Sequence, residues 1–159
     1  MFPKYRQRIK YEVKLMVDIC YGLGGTKMSK VNDFLNEAGV FFLATVDGDQ
    51  PKLRPLGLHL EVDDKVLFGI GDFKEVYKQL QANPKCEIVA AKQDGHWIRY
   101  TGKAVFETDN KYAEMALEGA PHLRSIYNDE TGNKMMMFHM EDATAYDLEV
   151  MGEGVDLMG

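Results

Sequence analysis

FFLATVDGDQPKLRPLGLHLEVDDKVLFGIGDFKEVYKQLQANP, residues 41–84, decides the fold. Val40–Val46 is nearly all apolar, as a strand buried on both faces would be. Asp47-Gly48 follows, the strongest hairpin signal in the chain, because these residues tolerate the positive φ of a tight two-residue turn. Lys52–Val62 reads as the return strand. Pro55 inside it cannot donate to a ladder, so it marks an edge, a bulge or a place where backbone meets ligand. Asp63-Asp64 turns the chain into Lys65–Ile70, and Asp72 with Glu75 gives a capping-box-like start to a helix ending at Asn83-Pro84.

The same alternation continues outward from this stretch. Cys86–Lys92 and His96–Glu107 read as strands around Asp94-Gly95, and Asp109 caps a helix carrying Tyr112, Met115, Ala116 and Leu117. Pro121 opens a short helical piece, 128–133 is a loop, and Met135–Met140 and Ala143–Val150 are the closing strands. Upstream, Ser29 caps a helix that presents Val31, Phe34, Leu35 and Ala38 and stops at Gly39. A further helix is expected over 5–20, broken by Gly22, Gly24 and Gly25; GLGGTK has neither the GxxxxGK[ST] nor the GxGxxG spacing and reads as a linker. Seven candidate strands on short turns predict a mainly β fold, a small barrel with peripheral helices (α+β in a looser scheme). The expected organisation is a basic extension over 1–27, one domain over 28–152 and a frayed tail over 153–159.

The 159-residue chain carries a net charge of −6, which argues against nucleic acid as main partner, since phosphate contacts need a basic face. Residues 1–27 hold six Lys/Arg against Glu12 and Asp18, a net of +4 that leaves −10 for the rest. No apolar run reaches the roughly 18 residues of a membrane span, and the N-terminus lacks a secretory h-region, so a cytoplasmic protein is expected. Cys20 and Cys86 form no CxxC and read as free thiols, Cys86 as a small buried hydrophobe.

Two cations stand out. Lys74 falls on the first turn of a helix, where it opposes the dipole unless an anion is bound; a solvated surface lysine is the plainer alternative, and Asp72 is placed to satisfy the same amides. Arg54, among Leu53, Leu56, Leu58 and Leu60, needs a partner for its planar fork, either a phosphate or an acidic side chain. Together they suggest a bound phosphate. Trp97 could stack on a planar ligand or simply pack. His59, His96, His122 and His139 show no metal-ligand spacing, and neither a GxSxG elbow nor an activated cysteine supports covalent hydrolysis. In Met135-Met136-Met137, alternation puts Met136 on one face and its neighbours on the other, as packing residues.

Four segments in order, FFLATVDGDQPKLRPLG (41–57), KVLFGIGDFKEVYKQLQANP (65–84), WIRYTGKAVFE (97–107) and MMMFHMEDATAYDLEVMGE (135–153), resemble the pyridoxamine 5′-phosphate oxidase-like FMN-binding split-barrel family over roughly residues 28–152. The resemblance implies a six-stranded, Greek-key split barrel, and a homodimer with FMN in grooves between the subunits. Arg54, Pro55, Leu56, Gly57 and His59 would line the flavin, Gly69 and Ile70 would sit beside the ribityl phosphate, and Lys74 would bind that phosphate. Trp97 would lie near the flavin on the strand facing the partner. The true oxidases have lysine where this chain has His59 and an Arg-Lys pair where it has Glu75 and Val76, and they carry a C-terminal substrate-binding segment, so the resemblance is to the smaller flavoproteins. It implies an oxidoreductase passing electrons from NAD(P)H to a small acceptor, with His59 as the one side chain able to donate a proton. A flavin carrier or sensor, or a haem- or F420-binding barrel, are the alternatives.

Overall fold

The computed structural model describes residues 29–158, so the expected helix over 5–20, the glycine-rich linker and Cys20 lie outside the described residues. Ser29 caps α1 (Lys30–Ala38) by accepting from the Asn32 amide at 3.2 Å, and Gly39 ends it at φ 78°. There follow β1 (Phe41–Asp47), β2 (Gln50–Leu56), β3 (His59–Val62), β4 (Lys65–Gly71), α2 (Glu75–Ala82), β5 (Lys85–Ala91) and β6 (Trp97–Phe106). Then come α3 (Lys111–Gly119), a 3₁₀ turn (Pro121–Ser125), β7 (Met135–Leu148) and β8 (Val155–Asp156).

All the strands join one antiparallel sheet, ordered β2-β1-β5-β6-β7-β4-β3, with β8 beside the far end of β7. The architecture is the expected mainly β half-barrel with peripheral helices, but with eight strands among the described residues instead of six. Both predicted hairpins hold: Asp47 pairs Gln50 across Gly48 at φ 64°, and Val62 pairs Lys65 across Asp63 and Asp64 at φ 52° and 59°.

Four details differ from expectation. Lys52–Val62 is not one strand: the ladder stops at Leu56 and resumes at His59, leaving Gly57-Leu58 as the link between the two ends of the sheet order. The two closing strands are a single β7, kinked where Asp142 adopts φ 50° opposite the register shift between Thr101 and Lys103. His96 belongs to the turn before β6, not to the strand, which starts at Trp97. The tail expected to fray from Gly152 returns as β8, whose register pairs Tyr146 with Asp156, while the Leu157 amide donates to Ala145 at 2.8 Å.

Curling the sheet makes two cores. Inside, Phe41, Phe68 and Phe138 are fully buried, with Phe68 centroids 5.4 and 5.5 Å from the other two, and α1 and α2 close over them. Outside, α3 lays Tyr112, Ala116 and Leu117 on Leu60, Leu67, Met135 and Met137. The methionine run divides as its period of two requires, with Met136 against the inner core.

Candidate functional site

Strand pairing alone brings several of the singled-out residues together. β2 and β3 end the sheet order on opposite sides, and Gly57-Leu58 connects them. The Gly69 amide donates to the Leu58 carbonyl at 3.2 Å, and His59 pairs with Phe68. A Cβ on Gly69 would meet Leu58 Cδ2 at 2.5 Å and Met137 Sδ at 3.2 Å, so glycine is what permits this approach. A Cβ on Gly57 would meet nothing within 4 Å. Pro55 faces outward and is exposed; Leu56 is half-buried, and Ile70 is 2% exposed, its side chain in the inner core.

Three residues, Asp72, Phe73 and Lys74, join β4 to α2. The N-cap is Lys74, which offers no side-chain cap, so the first-turn amides have no side-chain acceptor. Asp72, expected to cap this helix, instead accepts from the Lys134 amide at 2.9 Å while its own amide donates to the Lys134 carbonyl at 3.0 Å. Phe73, half-exposed, packs on Tyr127 with centroids 6.2 Å apart. Lys74 is exposed, its Nζ 6.0 Å from the Phe73 ring, and has no carboxylate partner among the described residues.

Arg54 has no acidic side chain as partner among the described residues. Its guanidinium reaches over β1: Nη1 donates to the Leu43 carbonyl at 3.1 Å and Thr45 Oγ1 at 2.6 Å, and Nη2 to Gln79 Oε1 at 2.8 Å. Thr45 in turn donates to Gln79 Oε1 at 2.7 Å. Every one of these acceptors is neutral, and partial burial lowers the guanidinium's pKa. Arg54 is thus joined to the helix that carries Lys74 with its charge uncompensated among the described residues.

Thr45 and Gln79, 3% and 7% exposed, were not singled out by sequence reasoning. The signals existed. Thr45 is the one polar residue inside the Phe41–Val46 run, and Gln79 falls three after Val76 on the helix face that is buried.

His59 is 8% exposed, wedged edge-on to Phe41 at 5.6 Å, and among the described residues neither ring nitrogen has a side-chain hydrogen-bond partner. Burial pushes its pKa down to about 4. The imidazole is therefore neutral at pH 7 and carries a single N–H.

Trp97 opens β6 two residues before Arg99, whose row across the sheet runs through Val89 and Phe42 to Pro55. It sits half-buried at the start of β6, under Arg99 at 5.1 Å, and Phe106 at the far end of that strand lies beside Phe138, which is next to Phe68. Around Trp97 the outer sheet face carries Phe42, Leu53 and Tyr146, exposed by 42, 66 and 39%.

Among the described residues no group of three or more His, Cys, Asp or Glu could hold a metal ion, and no helix is long and apolar enough to cross a membrane. Cys86 is buried, which raises its thiol pKa to about 12.

Residues 28–143 match the family model of pyridoxamine 5′-phosphate oxidase. Among solved structures, a NimC/NimA family protein from Clostridium acetobutylicum is 33% identical at a TM-score of 0.73, with 80% of this chain and 89% of that one covered. General Stress Protein 26 from Bacillus anthracis shares the fold at 14% identity and a TM-score of 0.61, covering 80% of this chain and 96% of its own. An FAD-binding protein from Mesorhizobium loti does so at 15% and 0.54, covering 77% and 96%. No curated protein matches the chain.

Proposed function

The chain belongs to the pyridoxamine 5′-phosphate oxidase family, and on that premise we propose that it is a homodimeric flavoprotein that binds FMN and passes electrons from NAD(P)H to a small acceptor. The observation that carries the reading is the start of α2, where first-turn amides without a side-chain cap meet the exposed ammonium of Lys74. Amides and a cation at a helix N-terminus are a site for a phosphate monoester. Asp72, the one nearby carboxylate that sequence spacing set against this, is turned away to Lys134.

The residues present fit a flavin mononucleotide. Lys74 and the α2 amides would take its single phosphate. Arg54 adds a guanidinium with only neutral protein partners. Gly57, where a Cβ would meet nothing within 4 Å, leaves main chain open to a ring. Flavin binding by the same fold has a precedent in the Mesorhizobium loti protein, which is FAD-binding. When bound, the flavin supplies the redox chemistry. The chain supplies binding and orientation, and neutral, buried His59 makes proton donation from that side chain unnecessary to the reading.

Trp97 supports a second copy. It is half-buried on the sheet face that carries Phe42, Leu53 and Tyr146, and there it would serve a flavin held between two subunits. The apolar Phe42, Leu53 and Tyr146 on the same face would be covered in that dimer.

The test is an absorption spectrum of the purified protein, followed by NADH or NADPH without air and then an acceptor. Flavin bands that bleach and return at a useful rate are expected, with a dimer in sedimentation. Bands that no nicotinamide bleaches would leave a flavin carrier. Colourless protein that takes up no added FMN would overturn both.

A further inference from the structure

A second feature lies at the other end of β4, roughly 20 Å along the strand from the Gly71 end. β7 changes partners there. Its pairing with β4 ends at Phe138, and its pairing with β8 begins only at Tyr146. Over the residues between, β7 has no strand on that side, and a cavity of about 340 Å³ opens at this seam. Val31, Val66, Met140 and Leu157 give it apolar walls; Tyr100, Lys65 and His139 bring polar groups to it.

The Tyr100 hydroxyl is the one with no protein partner among the described residues, and Tyr100 is only 5% exposed. His139 Nδ1 lies 2.6 Å from Glu107 Oε1, so that nitrogen is turned to the carboxylate and away from the cavity's apolar walls. Lys65 holds the same carboxylate at 2.8 Å. Its charge is compensated there, which leaves no net cation to select an anion. A ligand hydroxyl that accepts from Tyr100 inside an apolar cavity gains roughly the net value of one hydrogen bond, about 0.5–1.5 kcal/mol.

We propose that this seam cavity is a second ligand site, for a small neutral molecule with an apolar body and one hydroxyl head that bonds Tyr100. Its volume sits at the lower end of the range for small-molecule pockets, so the ligand is of one or two rings. Burial raises the Tyr100 pKa to about 12, which keeps its proton available as a donor at neutral pH. The site shares no residue with the phosphate end of the flavin reading and stands whether or not that reading holds.

Isothermal titration of the full chain with 2-naphthol and with naphthalene tests it. Saturable binding of 2-naphthol is expected, unchanged by saturating FMN. Tyr100→Phe should weaken 2-naphthol by about tenfold and leave naphthalene unaffected. Leu157→Trp, at the partly buried tail, should fill the cavity and abolish both. If that variant does not fold, the Tyr100→Phe comparison decides alone. Absence of saturable binding, competition by FMN, or equal effects of Tyr100→Phe on the two probes would each overturn the proposal, the last by showing that only water meets the Tyr100 hydroxyl.

Discussion

Arg54 Nη2 donates to Gln79 Oε1 at 2.8 Å, tying the edge strand β2 to helix α2 across the intervening β1. Gln79 Oε1 also accepts from Thr45, so one carboxamide oxygen holds a strand, a helix and an arginine from a third element. Arg54→Met keeps the aliphatic stem and deletes the fork. It should destabilise the protein by roughly 1–3 kcal/mol in urea unfolding, because Thr45 and Gln79 are buried and lose a donor. Gln79→Glu, which keeps the acceptor oxygen, should cost much less; equal costs would mean the three-residue network does not hold α2.

Lys74 is exposed and has no carboxylate partner among the described residues, so replacing it should leave stability unchanged. Lys74→Ala should weaken FMN by about tenfold and riboflavin hardly at all, because only FMN has the phosphate. Fluorescence titration with the two flavins measures the ratio. The same loss for both would place the phosphate elsewhere.

Gly69→Ala introduces a methyl 2.5 Å from Leu58 Cδ2 and 3.2 Å from Met137 Sδ. Leu58 can shift at its tip, but it leads directly into buried His59. A cost of roughly 1–3 kcal/mol is expected, read as a lowered melting temperature. Gly57→Ala, with open space around it, should be near neutral in the same assay.

His59 gives stability a defined pH dependence. Its pKa falls from an ordinary 6.5 to about 4 in the folded chain. Above pH 6.5 it is neutral in both states and contributes nothing. As pH drops from 6.5 to 4, the unfolded chain takes up a proton that the folded chain refuses, so stability falls, by on the order of 3 kcal/mol in all. Denaturation curves across that window should show the slope, and His59→Phe should remove most of it. A slope that persists in the variant would assign it to the carboxylates.

Much of the fold was legible along the chain because its signals are local. Asp47-Gly48 and Asp63-Asp64 are turns for reasons held within two residues, and Ser29 caps α1 with its own hydroxyl. The errors came where a local signal was overruled by a distant partner. Asp72 has the spacing of a helix cap, yet the Lys134 main chain, 62 residues on, takes its carboxylate. The tail past Gly152 looks frayed, yet it finds the edge that β7 leaves free after β4 departs. Arg54 and Lys74 were visible as cations, but the neutral Thr45 and Gln79 that link them were not, since neither stands out until burial is known.

The order of strands, turns and helices, and the family they belong to, were thus determined by sequence alone, because periodicity and turn chemistry act over a few residues. Curling the sheet decided the rest. It buried His59 against Phe41 and lowered its pKa, set Arg54 on Gln79, and placed Trp97 on β6 under Arg99. A side chain's charge state and neighbours depend on which surfaces close over it, and that is a property of the assembled sheet, not of any short stretch within it.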